Sequence, residues 1–234
     1  MNSLLLIFAA VVVSAIPVVW FEFAKRFRAF SARRWSITAG LLFVLPGATG
    51  FVLVVVPFAP VIEWGQPGTH EIVLILATSP LLWGLAVLVG IFSKLTGVAI
   101  QAADIDPWEE TDTEDTSGLA GPSPWLMVPL GSLVGGAEEL LFRGIVLVWL
   151  VDTLGVAGGL VLNGVLFGLY HYPNSVESIR EIDGSAIKEM SISGLGGIVL
   201  GSLYLWTSNL LVPLAGHTLH NAGLFYYLYT RTDS

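Results

Sequence analysis

GSLVGGAEELLFRGIVLVWLVD, residues 131–152, holds the decisive contradiction of this chain. Apolar residues fill both of its flanks, yet Glu138, Glu139 and Arg143 stand within six positions at its centre. An apolar run of about 20 residues is long enough to cross a hydrocarbon core roughly 30 Å thick. Inside lipid the backbone must satisfy its own hydrogen bonds, so such a run is helical. On insertion scales a charged side chain near the bilayer centre costs about 2.5–3.5 kcal/mol, so three cost roughly 8–10 kcal/mol unless something compensates. The stretch therefore predicts a membrane helix whose charges pair with one another or with neighbouring helices.

The rest of the chain agrees with that environment. Of its 234 residues, 54% are hydrophobic and only 12% charged, with a mean hydropathy of +0.78. A soluble domain carries about a quarter charged residues. Seven spans are expected, at 3–21, 36–58, 71–93, 124–152, 154–172, 191–207 and 209–230. The fold class is all-α: a polytopic transmembrane bundle of about seven helices with a four-helix catalytic core. Met1-Asn2-Ser3 carries no positive side chain, and the following apolar run reaches Trp20 before the basic residues begin. A cleavable signal has the opposite arrangement, so a retained first helix is expected.

Cytoplasmic loops close to helix ends carry the excess of Lys and Arg. Lys25, Arg26, Arg28, Arg33 and Arg34 lie between the first two spans, which puts that loop inside and the N-terminus outside. The same alternation brings Lys94, Arg180, Lys188 and Arg231 to the cytoplasmic side, with a cytoplasmic C-terminus. Nine of ten basic residues then share one face; the tenth, Arg143, lies within a span. Seven of the eighteen acids fall between Asp104 and Asp115. This divides the chain into a three-helix membrane scaffold (1–101), an acidic cytoplasmic linker (102–123) and a catalytic core (124–230). Abundant acids and only three lysines hint at a high-salt cytoplasm. There is no cysteine, which excludes disulfides and thiolate metal sites. No phosphate loop occurs, and nothing resembles a nucleic-acid surface.

Small residues recur four apart in the second half: Gly131 with Gly135, Gly164 with Gly168, Gly197 with Gly201. Such pairs let helices approach closely in lipid. Trp20, Trp35, Trp64, Trp125 and Trp206 sit near span ends as interface anchors.

The chemistry lies in three short patterns. Glu139 and Arg143 are four apart, share a helix face and can pair. Glu138 is about 100° round the helix from Glu139 and is left as the free carboxylate. Phe167 and His171 share a face of the next span, as do His217 and Asn221 of the last. Intramembrane ionisable residues face the bundle interior or a wet cavity, so Glu138, His171, His217 and Asn221 are expected to converge. Glu138 with His171 can hold and deprotonate a water. Asn221 and His217 can donate to a developing oxyanion. No nucleophilic Ser or Cys joins the array, which favours attack by water over an acyl-enzyme. Two His and one Glu also suffice for zinc, with Glu138, His171 and His217 as its ligands. The H-E-x-x-H motif of helix-borne zinc sites is absent. Asn163, Tyr170 and His220 read as interhelical glue.

Glu138-Glu139-x-x-x-Arg143, Phe167-x-x-x-His171 and His217-x-x-x-Asn221, in this order on separate apolar helices, resemble the CPBP family. These are the CAAX proteases and bacteriocin-processing enzymes, also called the Abi or type II CAAX prenyl endopeptidase (Rce1-like) family. The resemblance covers about 124–230. It implies an intramembrane endopeptidase acting on a peptide or protein substrate, membrane-bound or lipidated. It further implies that Glu138 activates water with His171, while His217 and Asn221 support the oxyanion or a metal. Glu139, Arg143 and Phe167 are then structural support. The family has been described both as metalloproteases and as glutamate-dependent proteases, and both readings stand at this point.

Two other functions compete. A transporter or proton pathway would line itself with Glu138, Glu139 and the histidines, but the two halves show no inverted repeat of broken helices. A non-catalytic relative that binds a membrane partner would not need three complete motifs.

Overall fold

The computed structural model describes residues 65–96, 135–171 and 184–232, with Leu4, Ile7, Val11, Val12 and Pro129. The expected spans 3–21 and 36–58, apart from those four N-terminal residues, and the linker 102–123 lie outside the described residues. Among the described residues all regular structure is helical, and no strand occurs. Helix α1 spans Thr69–Thr96. Its start is closed by Glu71, whose Oε2 accepts from the Gly68 N–H at 3.0 Å. A Glu three residues into a helix reaching back in this way satisfies an otherwise orphaned donor.

The helical stretch Gly135–His171 has 37 residues. At 1.5 Å per residue a straight helix of that length would measure about 55 Å, far more than a bilayer core. It is not straight, because Gly155 has φ 73° and ψ 173°. That combination is open essentially to glycine alone. The chain reverses there. Asn163 Nδ2 donates to the Phe142 carbonyl at 2.9 Å across 21 positions of sequence. Phe142, Val146 and Leu150 pack against Leu166 and Phe167 in one buried cluster. We label residues 135–154 α2 and 156–171 α3. The expected boundary between spans 124–152 and 154–172 falls at this reversal. Within α2, Phe142–Leu147 is wound as a π-helix, a local widening that is frequent at functional sites.

Helix α4 spans Gly184–Thr207, and α5 spans Leu211–Thr232. Helices α3 and α4 meet on glycine. A Cβ on Gly164 would lie 2.6 Å from Ile198 Cγ1 and 2.8 Å from the Gly194 carbonyl oxygen. A Cβ on Gly197 would lie 3.1 Å from the Phe167 Cβ. The pairs Gly164 with Gly168 and Gly197 with Gly201 therefore mark close contacts, as their spacing suggests; Gly131 lies outside the described residues.

The short turn between α4 and α5 is not a surface loop. Asn209 and Leu210 are buried. Asn209 Oδ1 accepts from the Leu211 and Gly65 N–H groups, each at 3.1 Å, which caps α5 and satisfies donors that would otherwise be orphaned. Leu210 packs with Leu140, Leu147 and Tyr204. Helix α5 therefore starts from this buried cluster, and its second turn brings His217 to the acids of α2.

Among the described residues, three helical stretches are long and apolar enough to cross a membrane: Thr69–Ile91, Gly135–His171 and Ile187–Thr207. Large apolar side chains such as Val73, Leu76, Val87, Leu88 and Val161 are exposed on them. In water that surface would be a liability, whereas in acyl chains it is ordinary. The protein is a multi-pass membrane protein. Helix α5, expected as the last span, has the length, but His217, His220 and Asn221 make it less apolar than the other three.

Candidate active site

Arg143 is completely buried, as is Glu139. Arg143 Nη1 donates to Glu139 Oε1 at 2.9 Å within the same helix. Its Nη2 donates to the Gly197 carbonyl of α4 at 3.1 Å. Its guanidinium carbon lies 4.3 Å from the centre of the Phe167 ring, within cation–π range. One arginine thus ties α2, α3 and α4 together. Phe167 also touches both site imidazoles, with ring centroids 4.5 Å from His171 and 6.1 Å from His217.

Glu139 does more than pair with Arg143. The same Oε1 lies 2.7 Å from His217 Nδ1. A carboxylate can only accept, so Nδ1–H donates and Nε2 is turned outward. His171 is fixed in the same manner: its Nδ1–H donates to the Phe167 carbonyl at 2.8 Å. Both rings then present Nε2 to Glu138. His171 Nε2 is 4.0 Å from Glu138 Oε1, and His217 Nε2 is 3.8 Å from Glu138 Oε2. Glu138 is buried, and His171 is partly exposed. Holding the remote ring nitrogen by a carbonyl or carboxylate fixes tautomer and orientation.

Glu138, His171 and His217 thus surround one point. Asn221 lies one turn further along α5, where a Cβ on Gly135 would come within 2.9 Å of Asn221 Nδ2 and 3.7 Å of His217 Cγ. Gly135 makes room for the His217–Asn221 face against the first described turn of α2. His220 packs instead against Trp83 of α1, with centroids 5.9 Å apart. Glu138 with the two imidazoles is a donor set whose chemistry suits zinc. Even so, among the described residues no group of three or more His, Cys, Asp or Glu side chains is arranged to hold a metal ion.

Sequence reasoning did not foresee the bond from His217 to Glu139. It read Tyr170 as interhelical glue, and its ring indeed packs against Phe142, Phe167 and His171.

A sequence profile of the type II CAAX prenyl endopeptidase Rce1-like family matches residues 120–223. That range contains every site residue named above. Neither the curated proteins nor the solved structures gave a match.

Proposed function

We propose, from the match of residues 120–223 to the type II CAAX prenyl endopeptidase Rce1-like family, that the chain is an intramembrane endopeptidase using a water activated by Glu138 and His171. One observation carries this reading. With Nδ1–H committed to the Phe167 carbonyl, neutral His171 offers only a lone pair at Nε2, and it faces a carboxylate oxygen 4.0 Å away. Two acceptors facing each other call for a donor with two protons between them, and water is such a donor. Glu138 takes one proton as the water oxygen bonds to the scissile carbonyl carbon. That proton passes to the leaving amine as the C–N bond breaks. The oxyanion accepts from Asn221 and from His217, whose Nε2 can donate only when the ring carries both protons.

The cleavage lies near the cytoplasmic membrane face, with the N-terminus outside. His171 ends α3, and Arg180 and Lys188 follow it in sequence, on the side that the basic residues assign to the cytoplasm. The substrate is a membrane-bound or lipidated peptide.

The test is Glu138→Gln, assayed on a farnesylated CAAX peptide in proteoliposomes. Loss of a general base costs about 10²–10⁴-fold in rate, and the unfolding temperature should stay within a few degrees of wild type. A variant that cleaves at the wild-type rate overturns the mechanism.

A further inference from the structure

Asn221 is an oxyanion donor of the proposed reaction, and such a donor works only when it stands about 2.7–3.1 Å from the place where the charge develops. Helix α5, which carries it, lies between two glycine contacts. On one side Gly216 faces α1, where a Cβ would come 2.7 Å from both Cβ and Oγ1 of Thr78. Thr78 is itself buried, and its hydroxyl donates to the Leu74 carbonyl of its own helix at 2.7 Å. On the other side buried Gly135 of α2 faces the site, where a Cβ would come 3.7 Å from His217 Cγ and 2.9 Å from Asn221 Nδ2.

The two distances at Gly135 have different consequences. At 3.7 Å an added methyl would meet the imidazole in ordinary van der Waals contact. At 2.9 Å it would overlap the amide nitrogen, and something must shift. Helix α5 has no room to retreat, because Gly216 already lies against Thr78. Helix α2 is tied just beyond Gly135, where Glu139 binds both Arg143 and His217. What yields most easily is the end of the Asn221 side chain, whose terminal torsion is soft. A methyl at position 135 would therefore turn the donor amide aside and leave His217 in place. The neighbouring Gly136 is different: among the described residues, a Cβ there meets nothing within 4 Å.

We propose that Gly135 is a positioning residue: the side chain it lacks leaves the hollow in which the Asn221 carboxamide stands, with its Nδ2 set for the oxyanion. Gly135 touches neither water nor substrate and acts only through Asn221. Its role rests on the reading of Asn221 as an oxyanion donor and adds the residue that places that donor.

The experiment compares Gly135→Ala, Gly136→Ala, Asn221→Ala and the double variant Gly135→Ala/Asn221→Ala in the full chain, on the same farnesylated peptide. Both glycine substitutions bring the same gain in helix propensity, so the difference between them reports the contact at position 135. Removing one oxyanion donor costs about 10²–10³-fold in kcat, and Asn221→Ala should show that loss. Gly135→Ala should fall about 10²-fold, with KM and the unfolding temperature unchanged, whereas Gly136→Ala should keep the wild-type kcat. The double variant should be no slower than Asn221→Ala, because the methyl has no donor left to displace. If Gly135→Ala keeps the wild-type kcat while Asn221→Ala is impaired, the positioning role is wrong and the proposed mechanism survives. Losses that multiply in the double variant, or an equal fall in Gly136→Ala, would show that Gly135 does not act through Asn221. A Gly135→Ala protein that fails to fold, or melts early in step with its loss of kcat, makes the residue a packing element and overturns the proposal. Asn221→Ala at the wild-type rate removes the reading on which it rests.

Discussion

The α3–α4 contact and the α2–α5 contact lie a few ångströms apart and are built from opposite materials. Between α3 and α4, Gly164, Gly168, Gly194 and Gly197 let one backbone lie against the other, so close that an added methyl has nowhere to go. Between α2 and α5 the contact is made by side chains: Glu139 to His217 at 2.7 Å and Glu138 to His217 at 3.8 Å. The first contact is dispersion between rigid rods and has no alternative register. The second depends on charges that are unfavourable in lipid until each has found its neighbour. The glycine seam fixes where α3 and α4 stand, and Arg143 transmits that position to the acids through Phe167 and the Gly197 carbonyl.

The most damaging way to break this arrangement is Arg143→Ala. It leaves Glu139 buried without its cation, and losing one partner of a buried pair costs about 3–5 kcal/mol. Unfolding in detergent should show that loss, and activity should vanish with it. A stability within 1 kcal/mol of wild type would mean that the polar contact is not held through this residue. Next comes Gly168→Val, which strikes the seam only. Its Cβ would run into the Met190 carbonyl oxygen, and overpacking of this kind costs about 1–3 kcal/mol. The rate per folded molecule should fall far less than in Glu138→Gln, and an equal fall would erase the distinction between the two contacts. The smallest effect is expected from metal removal. A water held by Glu138 and His171 predicts that exhaustively chelated protein keeps its rate. Loss on chelation with recovery on returning zinc would instead make Glu138, His171 and His217 its ligands.

The two contacts also differ in how far sequence revealed them. The Glu139–Arg143 pair follows from a spacing of four within one helix, so no tertiary knowledge was needed. The glycine pairs were equally open to inspection, since a missing side chain has one obvious use between helices. The meeting of Glu138 with His171 and His217 could be expected from three ordered polar patterns, but its geometry could not. That depends on where α5 starts, and the start is set by a buried turn in which Asn209 caps the helix and Leu210 joins the cluster of Leu140, Leu147 and Tyr204. Nothing in the apolar pattern of 209–230 reports that depth. The hydrogen bond between His217 and Glu139 was hidden for the same reason. The widened turn at Phe142–Leu147 has no residue signature, although Asn163 bonds to its first carbonyl.

The placement of the Glu139–Arg143 bridge within a single helix has a consequence for how the protein is made. A helix that carries both members of an ion pair can neutralise them while it is still leaving the ribosome and entering the translocon. It need not wait for later segments to be synthesised. Among the described residues Glu138 forms no such ion pair within its own helix; the imidazoles nearest it, His171 and His217, arrive only with two later segments. The residue proposed to do the chemistry is therefore the last of the three charges to be sheltered, and the reaction centre is complete only when biosynthesis of the bundle is nearly finished.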